Sequence, residues 1–257
     1  MSQRVNYDQI AATFDARYAG GIYAALLDTM REFVATRAPA TVLEVGCGTG
    51  YWISALRDLT RRIVGLDYSR EMLRAAREKN PATPFVRGTA TALPFRRESF
   101  DLIFCINALH HFGDVDGFVA EARRLMRPAG ALAVIGMDPH HGRDQWCVYE
   151  YFPETRAIDL ERYPSSGAIV DAMLKAGFDR VETSLACRLS AIRLGRTILE
   201  NPGLRKNGSS QMALLSDGQY AAGIARIESA IERARGGPEP IFEADIALMM
   251  VCGTIRD

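Results

Sequence analysis

Apolar residues recur along this chain with two different periods, and the change from one to the other predicts its architecture. Between residues 7 and 37, Ile10, Phe14 and Tyr18 stand at helical spacing, Gly20-Gly21 interrupts, and Tyr23, Leu26, Leu27, Met30 and Phe33 resume an apolar stripe. From Thr41 onward, short apolar runs alternate with helical stretches. Thr41–Val45 predicts a strand, followed by a glycine loop and a helix near 50–58. Arg62–Leu66 predicts a second strand ending at Asp67, with Ser69 as cap of a helix carrying Met72, Leu73 and Ala76. Pro84–Arg87 and Leu102–Ile106 predict a third and a fourth strand. Asp114 caps a helix carrying Phe118, Ala122, Leu125 and Met126, which Pro128 and Gly130 stop before a fifth strand over Ala131–Met137. A helix over 166–176 ends at Gly177. Arg180–Leu189 and Ala244–Thr254 complete a set of seven strands.

Strands alternating with helices imply βαβ units with right-handed crossovers. The expected fold is therefore α/β and Rossmann-like, a mostly parallel seven-stranded sheet covered by helices on both faces. Two stretches break the rhythm, at about 138–165 and 190–240. The second contains a helical segment from Asp217 to Arg235 with Tyr220, Ile224, Ile227 and Ile231 at helical spacing. Both are expected to form a helical cap over the carboxyl ends of the strands, where open α/β sheets bind ligands.

Composition narrows the function. Lysine plus arginine number 31, aspartate plus glutamate 31, so the formal net charge is zero over 257 residues. Nucleic-acid binders usually carry a basic excess, and none is expected as a partner here. Cys47, Cys105, Cys147, Cys187 and Cys252 are scattered and include no CxxC pair, which speaks against a metal cage or a disulfide framework. No apolar run is long enough to span a bilayer, and the first residues are polar. A cytoplasmic protein with no membrane partner is expected.

The chemistry concentrates in Val42-Leu43-Glu44-Val45-Gly46-Cys47-Gly48-Thr49-Gly50, between a predicted strand and a predicted helix. Gly46 and Gly48 permit a sharp turn and close approach of backbone to a ligand. The spacing is not that of the dinucleotide fingerprint, because Tyr51 occupies its sixth position, and no Gly-Lys-Ser/Thr follows as in a P-loop. Glu44 would repel a pyrophosphate and attract an ammonium group. A ligand with an amino-acid moiety suits this loop. Asp67, ending the next strand, matches an acid that accepts from a ribose diol, or is a turn acid ahead of the Ser69 cap.

These residues resemble the cofactor signature of class I S-adenosylmethionine-dependent methyltransferases. Further segments match in order: Gly88 to Phe95, Ser99 to Ile103 with Leu109-His110-His111-Phe112, Glu121 to Leu125 with Arg127-Pro128-Ala129-Gly130, and Ala176-Gly177-Phe178. The resemblance covers roughly residues 40–190 plus the last strand. It implies S-adenosyl-L-methionine as cofactor and S-adenosyl-L-homocysteine as product. Glu44, Gly46, Cys47 and Gly48 then face the methionine end, and Asp67 binds the ribose with Tyr68 beside the adenine. Thr89 and Ala90 form the adenine loop, while Ile106 and Asn107 lie near the sulfonium and amino groups. Thr89 stands where the family often has an acid, so it offers a neutral hydrogen bond in place of a charge-assisted one. Residues 1–37 correspond to a helical lid, and 38–257 to the cofactor-binding domain with its cap insertions.

Methyl transfer from a sulfonium needs alignment above all, and a hydroxyl or amine acceptor also needs a base. The base candidates are His110, His111, His140 and His141, which follow strand ends on the ligand side. Tyr18, Trp146 and Tyr149 are candidates for shaping the acceptor pocket, or they fill the core under the cap. The expected partner is a small-molecule acceptor. A protein or RNA methyltransferase, and a protein of this fold that binds the cofactor without transferring methyl, are the alternatives.

Overall fold

The computed structural model describes residues 5–256. Its centre is an eight-stranded sheet. Five parallel strands run in the order β3 (Phe85–Arg87), β2 (Arg62–Asp67), β1 (Thr41–Val45), β4 (Phe100–Ile106) and β5 (Met126–Met137). Antiparallel β8 (Ile241–Thr254) follows β5 and carries β7 (Arg180–Leu194) along its other edge. The order reverses at β1 and β4, which opens a crevice at their carboxyl ends.

The eighth strand is β6, Gln145–Trp146, which pairs with Asp245 and Ala244 of β8. Two residues are too short to leave a periodic signal, so the pattern predicts seven. β7 and β8 also run longer than expected, because their register continues from Thr254 opposite Arg180 to Ile241 opposite Leu194. Residues 190–194 of the second insertion are thus sheet.

The side-chain alternation of the strands sets the two cores. Val42, Leu102, Phe104, Ala131 and Ala133 pack on one face with Leu26, Met30 and Val34 of α1 (Ala24–Arg37) and Trp52, Ile53 and Leu56 of α2 (Tyr51–Leu56). Leu43, Val45, Ile103, Cys105, Leu132 and Val134 pack on the other. They meet Phe118, Val119, Ala122 and Leu125 of α4 (Val115–Leu125) and Ile169, Ala172 and Met173 of α7 (Ser166–Lys175). α3 (Arg70–Lys79) starts where Ser69 Oγ accepts from Met72 N, and α4 where Asp114 accepts from Gly117 N, as their sequences predict.

The leading segment is 3-10 rather than α-helical, at Tyr7–Gln9 and Ala11–Gly21, and kinks where Gly20 takes φ +78°. Ile10 and Ala11 bury against Met72 of α3. The Asp8 carboxylate accepts from Ser69 Oγ and Glu71 N, and Asp15 from Thr49 Oγ1 and Lys79 Nζ. The segment therefore lies across the glycine loop. Residues 1–4 of the expected lid fall outside the described residues.

The two insertions share one small core. Val148 and Phe152, from α5 (Cys147–Tyr151) and the turn after it, pack with Ile198, Leu204, Met212, Leu215, Ile227 and Phe242. α6 (Glu154–Arg162), α8 (Ser210–Leu214) and α9 (Asp217–Arg233) complete this layer. A Cβ at Gly223 would stand 2.0 Å from the Phe152 ring, so glycine lets α9 close on that side chain.

Candidate functional site

The loop after β1 is built from three left-handed glycines, Gly46 at φ +76°, Gly48 at +52° and Gly50 at +74°. A Cβ on Gly46 would sit 2.5 Å from the Ala108 Cβ, which makes glycine obligatory there on space as well as conformation. Gly46 N and Cys47 N donate to Leu66 O, binding the loop to β2.

Glu44 is 1% exposed and its Oε2 has no partner. Burial, with a smaller contribution from the Asp67 charge, holds its carboxyl well above the usual range. The same two causes push up the Cys47 thiol, which is buried beside it. A buried carboxyl oxygen left unbonded is an uncommon feature of folded proteins and fits a donor supplied by a ligand. The Asp67 carboxylate accepts from Gly48 N and Ser69 N, both at 2.8 Å, and so couples the glycine loop to the start of α3. Burial still leaves its pKa raised.

Tyr68 is 65% exposed beside the Arg87 guanidinium, whose Nε donates to Tyr68 O. Thr89 is exposed in a small bridge with Ala92, and Ala90 is buried. Ile106 ends β4, and Asn107 follows at φ +51°, with its N–H on Ile135 O. A non-glycine residue held there stores about 1–3 kcal/mol of strain, a feature that clusters at ligand sites. All ten cofactor candidates thus stand at the carboxyl ends of β1 to β4 or in the loops that follow them.

The four histidines separate into two kinds. His110 stacks on Tyr163 at 3.9 Å and lies 3.9 Å from the His111 ring. His111 Nε2 is 2.5 Å from Tyr7 Oη. Burial lowers the basicity of both, and Arg162 and Arg17 lower it further. His110 falls well below its ordinary value and His111 to about 3. Both rings are therefore neutral and weak proton acceptors. His140 and His141 are exposed on the turn after β5. His140 Nε2 lies 2.8 Å from Tyr163 O, and His141 Nε2 3.3 Å from the buried Asp138, whose carboxylate also caps that turn and receives Ser166 N. Asp138 thus ties the turn to α7, and His140 ties it to the end of α6.

The three pocket candidates also divide. Tyr18 stacks on Tyr51 at 3.8 Å, directly after the glycine loop. Trp146 and Tyr149 pack edge to face at 5.1 Å and line a cavity of about 320 Å³ with Pro139, Gly142, Asp144 and Arg156.

Sequence reasoning missed Tyr7 as a partner of His111, and it missed a polar group on α6 and α8: Asp159, Arg162 and Gln211. These residues fall in the two insertions, where the pattern assigns no helix at α6 or α8 and nothing local brings the two together. Among the described residues no cluster of His, Cys, Asp or Glu suits a metal ion, and no helix is long and apolar enough to cross a membrane.

Residues 43–134 match the family described as a methyltransferase domain. That segment carries the glycine loop and Asp67 and resembles the class I S-adenosylmethionine-dependent methyltransferases. The chain is 34% identical over 114 residues to the uncharacterized methyltransferase YcgJ of Bacillus subtilis, covering 42% of this chain and 45% of that protein. The crystal structure of YcgJ aligns over 90% of this chain and 98% of its own, with a TM-score of 0.62 and 20% identity. A demethylmenaquinone methyltransferase of Oceanobacillus iheyensis is 28% identical over 181 residues, 60% of this chain and 76% of that protein. The phosphoethanolamine N-methyltransferase 2 of Haemonchus contortus, solved with S-adenosyl-L-methionine, shares the fold at a TM-score of 0.62 and 15% identity, over 97% of this chain and 57% of its own. Of four curated relatives, matches to this chain span 36% to 45% of their length.

Proposed function

We propose that the chain transfers a methyl group from S-adenosyl-L-methionine to a small-molecule acceptor held between the glycine loop and the cap. The observation that carries this reading is the unbonded, buried Glu44 Oε2 at the head of a loop of left-handed glycines, with Asp67 closing its far side. The electrostatics fit a cationic donor: a buried carboxyl with no protein partner gains most from an ammonium or a water bound to one.

The bound cofactor supplies a methyl group already activated on a sulfonium. The residues of this chain then bind, orient and exclude water. Glu44 takes the ammonium end beside Gly46, Cys47 and Gly48. Asp67 has lone pairs left for a ribose diol while its backbone bonds fix its rotamer. The exposed Tyr68 ring and the Thr89–Ala90 turn flank the adenine, where Thr89 contributes at most a neutral hydrogen bond. Ile106 and Asn107 bound the region between cofactor and acceptor. The Tyr7–His111 bond holds the leading segment over the crevice, which keeps water from the reacting atoms. Trp146 and Tyr149 border the acceptor side in a cavity sized for a small molecule.

The test is production of S-adenosyl-L-homocysteine over a metabolite panel in a coupled assay. Turnover with a small acceptor is the expected result. Tight cofactor binding with no product from any acceptor, small or macromolecular, sinks the transfer reading.

A further inference from the structure

Four buried polar atoms among the described residues lack a hydrogen-bond partner. One is Glu44 Oε2; the other three, Glu154 Oε2, Asp159 Oδ1 and Arg162 Nη1, are all on α6. Unbonded polar atoms therefore concentrate in two places, the cofactor loop and one helix of the cap. Asp159 is fully buried. Its Oδ2 is well served, accepting from Tyr149 Oη at 3.0 Å and Gln211 Nε2 at 3.1 Å, while Oδ1 faces nothing that donates. Arg162 lies one turn further on the same helix. Its Nη2 donates to Ser210 Oγ at 3.0 Å and its Nη1 to nothing. Bracing α6 against α8 accounts for the bonded atoms and leaves one acceptor and one donor over.

This cluster adjoins the reaction crevice. Tyr163, next to Arg162, stacks on His110 and accepts from Gln211 through its hydroxyl. Tyr149, which donates to Asp159, also lines the 320 Å³ cavity beside Trp146. The charges are unbalanced on this side. Arg162, and Arg17 from the leading segment, have no carboxylate within 4.0 Å among the described residues. Arg17 donates to the carbonyls of Phe14 and Gly208 and lies over the Phe14 ring at 3.5 Å. Both guanidinium groups act on His110 and His111, which burial keeps neutral, and Arg162 acts on Asp159 as well.

We propose that Asp159 and Arg162, with Arg17 behind them, recognise the methyl acceptor. The acceptor then pairs an anionic oxygen group, carboxylate or phosphate, with a neighbouring O–H or N–H. The anion meets Arg162 Nη1 and the donor meets Asp159 Oδ1, each giving a partner to a buried atom. This assignment rests on the methyl-transfer reading for its purpose, though not for its chemistry.

The experiment titrates acetate, glycolate and inorganic phosphate into the full chain with and without saturating S-adenosyl-L-homocysteine, followed by NMR shifts. The wild type is expected to bind at least one anion, and to bind glycolate more tightly than acetate because glycolate adds a hydroxyl. Phosphate stronger than both assigns a phosphate group, and glycolate stronger than phosphate a carboxylate. Arg162→Met is expected to weaken the anion at least tenfold while leaving S-adenosyl-L-homocysteine affinity within twofold. Arg162→Lys, which keeps the charge and loses the fork, is expected to weaken it at least threefold and serves if the methionine variant does not fold. In Asp159→Asn the amide oxygen stays on Tyr149 and Gln211, so an N–H replaces Oδ1 and the glycolate preference disappears. No anion binding to the wild type, or equal binding in the Arg162 variants, overturns the proposal. Failure of S-adenosyl-L-homocysteine to bind, with anion binding intact, overturns the cofactor reading instead.

Discussion

Tyr7 and His111, 104 residues apart in the chain, are joined by a 2.5 Å hydrogen bond between Tyr7 Oη and His111 Nε2. The imidazole is neutral, and in the tautomer with its proton on Nδ1 it accepts the phenol O–H at Nε2. Burial of the phenol pushes its own pKa up to about 12, so it stays a donor at any physiological pH. Removing it leaves a half-buried nitrogen unbonded, at a cost of about 1–3 kcal/mol. Tyr7→Phe is therefore expected to weaken S-adenosyl-L-homocysteine binding by roughly 5- to 150-fold in calorimetry, on the conversion of 1.4 kcal/mol per tenfold. Unchanged affinity means the leading segment closes without this bond.

The histidine pair makes a prediction about pH. The His111 pKa is about 3 in the fold against 6.5 unfolded, and His110 is lowered too. Below pH 6.5 the unfolded chain takes up protons that the fold refuses. Stability is then fully present above pH 6.5 and falls as pH drops toward 3, by no more than about 1.4 kcal/mol per pH unit for each histidine. Urea unfolding at pH 7.5 and 5.0 measures this, and His111→Asn is expected to flatten the dependence. The pH–rate profile is expected to show no inflection from these two rings near neutrality.

Glu44 titrates in the opposite sense. Its raised pKa means that the folded state holds a proton which the unfolded state releases above the ordinary carboxyl range. Its contribution is thus fully present below that range and is lost as pH rises toward the folded pKa. Glu44→Gln is expected to stabilise the cofactor-free protein at neutral pH and to weaken cofactor binding. Cofactor binding to the wild type is expected to release a proton, which calorimetry in buffers of different ionisation enthalpy detects. No proton release places the ammonium group elsewhere.

Gly46→Ala meets two obstacles, a φ of +76° and an Ala108 methyl at 2.5 Å. The overpacking alone costs about 1–3 kcal/mol. A lower thermal midpoint together with loss of S-adenosyl-L-homocysteine binding is expected. Gly236→Ala is the control, because it shares the positive φ but its Cβ meets open space. Equal effects on cofactor binding in the two variants sink the account of Gly46 as part of a cradle.

Local pattern alone determined much of this protein. Strands β1 to β5 and the helices between them follow from apolar period and from caps such as Ser69 and Asp114, whose signals lie within a few residues of their effect. Glu44, Gly46, Gly48 and Asp67 could be singled out as candidates for the same reason, since one βαβ unit carries all four. Tertiary structure decided what depends on distant segments meeting. The two-residue β6 exists only because β8 offers it an edge. His110 and His111 look like equal candidates for a base until Tyr7, Tyr163, Arg17 and Arg162 surround them and remove their basicity. Asp159 and Arg162 lie in a stretch where the pattern assigns no element, and only the fold shows that α8 covers them and leaves one atom of each unbonded. Burial is a property of the assembled fold, and the charge state and hydrogen-bond needs of these groups are set by burial.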